Sequence, residues 1–309
     1  MIAAITMNVS VDRKYVVENS QVGAVNRVKE CIATAGGKGL NVTRIIHAMG
    51  EKVIAGGIVG GNLGRYVCDQ LEKQNIHHQF THAQGETRCC INICDTLTGI
   101  QTEYLEPGMV VTETEMQDFL NDYRELCESC DVLTMSGSLP KGLATDTYAK
   151  LIALAKAYGR PVLLDTSGEA LIQGIQAKPY FIKPNESEVN GLYPCNINVM
   201  EEVAQGAKKL VENGIDRVVV SMGKQGALLA CKEGVFRGKP PAIKAVNTVG
   251  CGDSMTAAFA IAAEKNMTPV ESMRYAIAVS AASALHPETG GVRLEDFKNI
   301  YPNVEAYPL

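Results

Sequence analysis

The segment NTVGCGD (247–253) runs directly into the apolar stretch SMTAAFAIAAE (254–264), and this junction decides what fold and chemistry we expect. A glycine-flanked turn that opens a helix leaves backbone N–H groups without partners, and with the helix dipole they form an anion site. A carboxylate at such a place repels a bound phosphate, so we expect Asp253 to take part in proton transfer. The alternative is that Asp253 is an ordinary helix N-cap.

The segment AGGKGLNV (35–42) is a second glycine turn that leads into a predicted helix. Glycines let the backbone approach a ligand closely, and Lys38 offers a positive charge to a phosphate. The spacing differs from the GxxxxGK[ST] pattern of a Walker A loop. The alternative is a tight loop between a small β-sheet lid and the helix.

Two further segments follow predicted strands: KPNESE (183–188) and SMGKQG (221–226). The first offers amide and carboxylate oxygens, which suit a magnesium ion that keeps several of its waters. Helix capping explains Asn185 equally well. The second is a glycine turn that admits a nucleotide or simply closes a hairpin.

Short apolar runs alternate with amphipathic stretches of helical length along most of the chain. This alternation predicts an α/β fold with a doubly wound, mostly parallel sheet between helices, and ligands at the carboxyl ends of the strands. The predicted strands are 2–6, 53–59, 132–135, 162–165, 180–183 and 218–221. The predicted helices are 40–49, 63–74, 113–127, 144–157, 201–213, 254–265 and 270–285.

Two stretches, 14–34 and 86–106, break this alternation and resemble strands of a small β-sheet lid. No linker or internal repeat divides the sequence, so we expect residues 1–309 to form one domain that carries this lid. Exposed lid strands favour pairing with a second copy of the chain, which predicts a homodimer.

The composition excludes several classes of function. The chain has 46% hydrophobic and 20% charged residues with a net charge of -5, which is ordinary for a globular protein. It has no run of basic residues and no apolar stretch near the roughly 20 residues of a membrane span, so we expect neither nucleic acid nor membrane as a partner. Its ten scattered cysteines predict reduced thiols and a cytoplasmic location. Cys127 and Cys130 have CxxC spacing, but no further ligands stand nearby for a metal.

Taken in order, these segments resemble the PfkB-type carbohydrate kinases of the ribokinase-like superfamily. The hallmarks of that family are a GGKGxN segment near the amino end and a TxGxGD segment near the carboxyl end, and the resemblance runs end to end. It implies a ribokinase-like, three-layer α/β/α fold with a small β-sheet lid. It also implies an enzyme that uses ATP and Mg²⁺ to phosphorylate a sugar.

The resemblance assigns roles to residues on three sides of one site. It makes Asp253 the catalytic base, and the amides of Gly250, Cys251 and Gly252 the anion hole for the phosphoryl group in transfer. Asn185 and Glu188 would hold Mg²⁺ through water. The nucleotide side would be Lys183, Asn185, Ser221, Gly223, Gly226 and Thr248. The sugar side would be Asp12, Gly37, Lys38 and Asn41.

The substrate class follows from four shorter segments: VNRV (25–28), GETR (85–88), SGSLPKGL (136–143) and SGEAL (167–171). They resemble the hexose-phosphate branch, which contains tagatose-6-phosphate kinases and 1-phosphofructokinases. In that branch Arg88 and Lys38 would meet the phosphate of the sugar, with Ser138 and Arg27 contributing. The alternative for Arg88 is a solvated lid residue. TAGGKGLNVTR and SLPKGL favour the first activity, and TVGCGDSM favours the second.

Two rival functions stay open. The segment GGIVGG (56–61) suggests a nucleotide-binding dehydrogenase, although its spacing is not GxGxxG. The other rival is a sugar-phosphate sensor without catalytic activity on the same fold.

Cys251 stands where the family commonly has alanine. A thiol at a helix N-terminus can have a lowered pKa. The sequence therefore predicts a thiol that reacts with thiol reagents.

Overall fold

The computed structural model describes residues 1–309 and consists of fourteen strands and ten α-helices. The strands are β1 (Ile2–Thr6), β2 (Ser10–Val17), β3 (Glu30–Gly36), β4 (Val53–Gly60), β5 (His77–Ala83), β6 (Arg88–Asp95), β7 (Gln101–Leu105), β8 (Val132–Ser136), β9 (Val162–Asp165), β10 (Phe181–Ile182), β11 (Arg217–Ser221), β12 (Ala227–Cys231), β13 (Gly234–Lys239) and β14 (Glu305–Pro308). The helices are α1 (Lys38–Ala48), α2 (Gly61–Lys73), α3 (Glu113–Ser129), α4 (Thr147–Ala157), α5 (Gly168–Gln176), α6 (Glu186–Leu192), α7 (Met200–Glu212), α8 (Cys251–Glu264), α9 (Pro269–Ala284) and α10 (Leu294–Ile300). No helix combines the length and the apolarity that crossing a membrane requires.

Ten strands form the main sheet in the order β14-β13-β12-β11-β10-β9-β8-β1-β4-β5. The strands from β5 to β11 in this order run parallel. At the other edge β12, β13 and β14 are antiparallel to their neighbours. The prediction of a mostly parallel α/β sheet is confirmed.

Helices cover both faces of this sheet, because its central strands bury side chains on both sides. In β1, Ala3 and Ile5 pack into one hydrophobic cluster, together with residues of α3, α4 and α7. Ile2 and Ala4, which point to the opposite face, pack into a second cluster with residues of α8 and α9. Alternate residues of one buried strand therefore join two helical layers, which makes the three-layer arrangement.

The second sheet, called here the lid sheet, has the order β3-β2-β6-β7. The predicted lid began at residue 14, whereas β2 begins at Ser10 and β3 ends at Gly36. Tyr66 of α2 donates a 2.9 Å hydrogen bond to the carbonyl of Ala33 and so helps fix this sheet on the main body. The longer β2 carries Asp12 to the junction of the two sheets.

Several elements differ from the predicted ones or were missed. The strand predicted at 180–183 is only Phe181–Ile182, and the helix predicted from Ala144 begins at Thr147. β5 was missed because IHHQFTHA contains three histidines and no clear alternation. It forms one edge of the main sheet, and Gln79 donates a hydrogen bond to Glu125 of α3, which lies along that edge. Strands β13 and β14 and helices α5 and α10 were also not predicted, whereas a helix after KPNESE and a hairpin at SMGKQG were anticipated without bounds.

Candidate active site

The residues singled out in the sequence meet at the carboxyl ends of the parallel strands. Thr6, Ser136 and Asp165 end the neighbouring strands β1, β8 and β9, and Lys183 follows β10. The amino ends of α1 and α8 lie at this same edge, and the two helices pack against each other. This is the edge at which parallel α/β sheets bind ligands.

Asp253 lies buried in the first turn of α8, with only 6% of its surface exposed. The amide of Asn41 donates a 2.7 Å hydrogen bond to its Oδ2. The N-cap of α8 is Gly250 in the left-handed region, at φ 84°, and no side chain caps the helix. The alternative that Asp253 is an ordinary N-cap is therefore wrong.

The surroundings of Asp253 raise its pKa to about 6. The largest cause is burial, because a low-dielectric site disfavours the charged form, and the second is the nearby negative charge of Asp165. The hydrogen bond from Asn41 and the positive charges of Lys38 and Lys183 act in the opposite direction. A carboxylate with such a pKa is mostly ionised at neutral pH and is still basic enough to accept a proton.

The glycine turn before Asp253 offers backbone N–H groups that can bind an anion. At the amino end of α8 the N–H of Cys251 donates a 3.3 Å hydrogen bond to the carbonyl of Thr248, whereas the N–H groups of Gly252 and Asp253 have no acceptor in the chain. A Cβ atom added to Gly252 would lie 3.0 Å from Nζ of Lys183, so the ammonium group stands directly beside the turn. The two N–H groups without acceptors, the helix amino end and the lysine together fit the phosphates of ATP.

Asp165 is a charged residue of this site that sequence reasoning missed. Its buried carboxylate lies 3.4 Å from Nζ of Lys183 and 4.0 Å from Nζ of Lys38. Thr256 of α8 donates a 3.1 Å hydrogen bond to it. Its charge is the largest cause of the raised pKa of Lys38. The available signal was its position as the polar last residue of the apolar strand VLLD.

Asn185 and Glu188 form a reciprocal capping box at the start of α6. Asn185 Oδ1 accepts from the N–H of Glu188 at 2.9 Å, and Glu188 Oε2 accepts from the N–H of Asn185 at 2.8 Å. The capping alternative for Asn185 is thus correct. The negative charge of Glu188 also contributes to the raised pKa of Lys38, after the larger contributions of Asp165 and Asp253. Oxygen atoms not engaged in the capping box fit a hydrated Mg²⁺.

The nucleotide-side residues follow β10 and β11. Asn185 and Ser221 are paired by an isolated parallel β-bridge. The segment SMGKQG is the turn of the antiparallel hairpin β11–β12, as its alternative reading stated. Gly226 has φ 91°, and an added Cβ would lie 2.0 Å from the carbonyl oxygen of Gly238. Gly223 and Thr248 lie exposed at the surface.

Asp12 lies where the lid sheet meets the main sheet. Ser10 donates a 2.7 Å hydrogen bond to its Oδ1. A Cβ added to Gly36 would lie 2.2 Å from Cγ of Asp12, so the GGKG turn passes directly over this carboxylate. Gly37, at φ 102°, is the N-cap of α1. The structure therefore brings Asp12 next to the turn that carries Lys38.

Arg88 at the start of β6 is held by two backbone carbonyls. Its guanidinium donates to the carbonyl of Glu106 at 3.0 Å and to that of Asn8 at 3.1 Å. The side chain of Asn8 donates a 3.1 Å hydrogen bond to Oγ of Ser138, which links Arg88 to Ser138. The alternative of a solvated Arg88 is wrong. Asn8, which makes this link, was not singled out in the sequence.

Arg27 does not lie with the other predicted site residues of the same chain. It lies exposed in the loop between β2 and β3 and makes no hydrogen bond or ion pair with the other site residues. Within this loop the side-chain amide of Asn26 donates a hydrogen bond to the carbonyl of Gln21, and the N–H groups of Asn19 and Ser20 donate to the carboxylate of Asp95.

The cysteines singled out in the sequence are buried to different extents. Burial raises the pKa of the Cys251 thiol, so the predicted lowering by the helix N-terminus is wrong. Cys127 and Cys130 are fully buried and free, and no group of three metal-ligating side chains surrounds them.

The glycines of GGIVGG allow close packing of the backbone: a Cβ on Gly57, at φ 140°, would lie 1.9 Å from the carbonyl oxygen of Thr6.

The chain resembles known kinases along its whole length. It matches the pfkB family of carbohydrate kinases over residues 5–295. Two tagatose-6-phosphate kinases of Staphylococcus epidermidis are 38% identical to it over 309 residues, which cover 99% of this chain and 99% of each relative. Phosphofructokinase-2 of Escherichia coli has a TM-score of 0.93 at 29% identity, with 98% of both chains covered. A possible 1-phosphofructokinase of Thermotoga maritima has a TM-score of 0.87 at 25% identity, with 100% of this chain and 99% of that chain covered. On these matches and on the site geometry, the chain belongs to the pfkB family of carbohydrate kinases.

Proposed function

We propose that this enzyme transfers the γ-phosphoryl group of ATP to a ketohexose phosphate, and that tagatose 6-phosphate is converted to tagatose 1,6-bisphosphate. The observation that carries the chemistry is the buried carboxylate of Asp253 in the first turn of α8, beside the N–H groups of Gly252 and Asp253 that have no acceptor in the chain. The substrate is proposed from the full-length similarity to the tagatose-6-phosphate kinases. We further propose that residues 1–309 act as one kinase domain.

In the proposed reaction Asp253 accepts the proton of the C1 hydroxyl as that oxygen attacks the γ-phosphorus. One oxygen–phosphorus bond forms, the bond between the γ-phosphorus and the ADP oxygen breaks, and the proton remains on the carboxylate. Asn41 occupies Oδ2 of Asp253, which leaves Oδ1 for the hydroxyl. The amides of Gly250, Cys251 and Gly252 face the developing negative charge, which is where phosphoryl transfer needs stabilisation most.

Two lysines lie near Asp165, with Nζ of Lys183 close to Oδ2 and Nζ of Lys38 close to Oδ1 of that carboxylate. Lys183 stands beside the glycine turn and would contact the phosphates of ATP, and Lys38 would lie between ATP and the sugar. The remaining nucleotide contacts are proposed for Asn185, Ser221, Gly223, Gly226 and Thr248. Asn185 and Glu188 would hold Mg²⁺ through water, and the ion would supply positive charge to the phosphates.

The sugar is proposed to lie between the GGKG turn and the lid sheet. Asp12 would accept hydrogen bonds from sugar hydroxyls, with Gly37 and Asn41 lining the pocket. Arg88 and Ser138, which Asn8 links, would bind the existing phosphate together with Lys38, because a guanidinium matches phosphate geometry. Arg27 lies exposed outside this pocket, so the proposal that it contributes to the phosphate site rests on the sequence resemblance alone.

The second candidate is 1-phosphofructokinase, which the segment TVGCGDSM favours. There the C6 hydroxyl of fructose 1-phosphate accepts the phosphoryl group, so the two activities differ in which end of the sugar faces Asp253. Coupled measurement of ADP release with tagatose 6-phosphate, fructose 1-phosphate, fructose 6-phosphate, ribose and adenosine distinguishes them. We expect the highest kcat/KM with tagatose 6-phosphate. No turnover on any phosphosugar would instead support a sensor without catalytic activity.

We also propose that two copies associate through the lid sheet. All of β7 is exposed, including Tyr104 at 60% and Leu105 at 65% of their surfaces. Val22 and Val25 in the loop between β2 and β3 are more exposed still. An open edge strand with exposed apolar residues is a surface that proteins normally cover. Escherichia coli phosphofructokinase-2 has a tetrameric inhibited form, so association of copies occurs in this fold.

A further inference from the structure

Arg44 lies one turn after Asn41 in α1 and has no part in the site as proposed so far. Its guanidinium donates hydrogen bonds to the side-chain oxygen of Asn41 and to the backbone carbonyl of Ala35. A further hydrogen bond of 3.3 Å goes to the carbonyl of Thr289, in the loop after α9. One side chain therefore ties together the segment before the GGKG turn, helix α1 and the loop that follows α9.

The donors and acceptors of these groups allow only one orientation of the Asn41 side-chain amide. The carboxylate of Asp253 when ionised accepts only, so Asn41 must turn its NH₂ group towards it. The amide oxygen of Asn41 then faces the other way and needs a donor, and a guanidinium has donors only. Without Arg44, the amide oxygen of Asn41 loses this donor, and the hydrogen bond to Asp253 alone holds the amide in place.

The packing around the guanidinium is close enough to hold this arrangement. Gly290 adopts φ 74°, and a Cβ added there would lie 3.0 Å from Nη2 of Arg44 and 3.0 Å from Cα of Asn41. A side chain at position 290 would therefore push into the guanidinium. The loop after α9 closes on Arg44 because it has a glycine there.

Arg44 is also a cation close to the proposed base. Burial lowers its pKa, and the negative charges of Asp12, Asp253 and Glu288 oppose this lowering. Arginine keeps its charge in proteins because its reference pKa is so high. The groups that face Asp253 are thus Asp165, Lys38, Lys183 and Asn41, with Arg44 behind Asn41.

We propose that Arg44 is a positioning residue for the general base: it fixes the amide of Asn41, so that Asp253 keeps one oxygen bonded and presents the other to the accepting hydroxyl. This inference rests on the proposed role of Asp253 as the base. Arg44 contacts neither the sugar nor the nucleotide in this proposal. Its effect is expected on kcat and on its pH dependence rather than on KM.

Three substitutions separate the hydrogen bonds of Arg44 from its charge. Arg44→Met removes both, and we expect kcat to fall by about 10- to 100-fold because a misplaced base reacts slowly. KM for both substrates should change by less than about threefold, since Arg44 contacts neither the sugar nor the nucleotide in this proposal. Arg44→Gln keeps a donor for Asn41 without the charge, and Arg44→Lys keeps the charge without the planar fork.

The pH profile of kcat shows which property acts. Loss of the cation disfavours the ionised carboxylate, so the acid-side midpoint of kcat should move to higher pH in Arg44→Met and Arg44→Gln. It should stay in place in Arg44→Lys, whose kcat should lie between those of wild type and Arg44→Met. If Arg44→Met does not fold, the Gln and Lys variants decide the same question.

Arg217 is the matched control. It donates hydrogen bonds of 2.9 Å to Ser272 and 3.2 Å to the carbonyl of Met267, at the opposite end of β11 from the site. Arg217→Met should lower the melting temperature and leave the acid-side midpoint unchanged.

A folded Arg44→Met or Arg44→Gln variant with kcat within twofold of wild type and an unchanged midpoint overturns the proposal. Asp253→Asn, measured alongside, tests the role of Asp253 as the base separately from the role of Arg44. If Asp253→Asn is inactive while Arg44→Met is normal, only the role of Arg44 fails. If Asp253→Asn keeps normal turnover, the base assignment itself fails.

Discussion

The side-chain amide of Asn41 donates a 2.7 Å hydrogen bond to Oδ2 of Asp253, which lies 212 positions further along the chain. This bond joins the amino-terminal turns of α1 and α8, and both of these helices open with a glycine turn. The bond occupies Oδ2 of the Asp253 carboxylate and leaves Oδ1 as the free position. The free position is where the proposed chemistry takes place.

Replacement of Asp253 by asparagine should remove the base and keep the shape of the side chain. We expect kcat to fall by about 100- to 10,000-fold, the range that general bases contribute. ATP and the sugar phosphate should still bind, as isothermal titration calorimetry can measure. A variant with near-normal turnover would exclude Asp253 from the mechanism.

The same substitution should stabilise the protein at neutral pH. The pKa of Asp253 is raised from 3.8 to about 6 in the fold, so the native state binds more protons than the unfolded state between these values. Stability from this group is therefore lost as pH rises from about 4 to 6, and ionised Asp253 destabilises the fold by up to about 3 kcal/mol. Thermal unfolding should show a gain for Asp253→Asn at pH 7 that shrinks at pH 4. An equal gain at both pH values would contradict the raised pKa.

Asp165→Asn should shift the pH dependence of kcat in the opposite direction from the loss of Arg44. In the wild type we expect kcat to fall as pH drops through about 6, because protonated Asp253 cannot accept a proton. The charge of Asp165 contributes to this raised pKa, so its removal should move the acid-side midpoint to lower pH.

Asp165→Asn should also raise KM for ATP, since Lys183 and Lys38 lose the carboxylate between them. The measurement is kcat and KM from pH 5 to pH 8. A midpoint that stays in place would mean that Asp165 does not act on Asp253.

Cys251 should react slowly with thiol reagents at neutral pH. Burial raises the pKa of its thiol, whereas Cys31 in the lid sheet is exposed. We expect mass spectrometry to find iodoacetamide on Cys31 well before Cys251, with little loss of activity at that stage. Cys251→Ala, which restores the residue that the family commonly has, should keep its activity. Early modification of Cys251 with parallel inactivation would show that the helix N-terminus outweighs burial.

Tyr104→Asp combined with Leu105→Asp should separate the proposed dimer. Two charges in β7 would have to lose water on association, and the copies would repel each other. Sedimentation velocity should find a dimer for the wild type and a monomer for this variant. Ile172→Asp is the control, because Ile172 is exposed on α5 in the main body and should leave the dimer intact. A monomeric wild type at micromolar concentration would contradict the proposal.

The sequence alone determined the elements of the fold whose signal is local. Buried parallel strands such as VLTMS in β8 are continuous apolar runs, and amphipathic helices repeat with their own period, so both could be recognised in place. The two glycine turns were recognisable because a turn followed by an apolar helix needs no distant partner. The lid was located only approximately, because polar edge strands have weak patterns.

The tertiary structure alone decided which residues of different segments meet. Asp165 ends a short apolar strand, and nothing near it in the chain marks it as the neighbour of Lys38 and Lys183. Asn8 and Arg44 act through contacts with residues up to 245 positions away, which depend on the order of strands in the sheet. The pKa values of Asp253 and Cys251 were equally inaccessible, because burial is a property of the packed chain. Local patterns determine where helices and strands form, and the electrostatics of the site arise only when distant segments share one edge of the sheet.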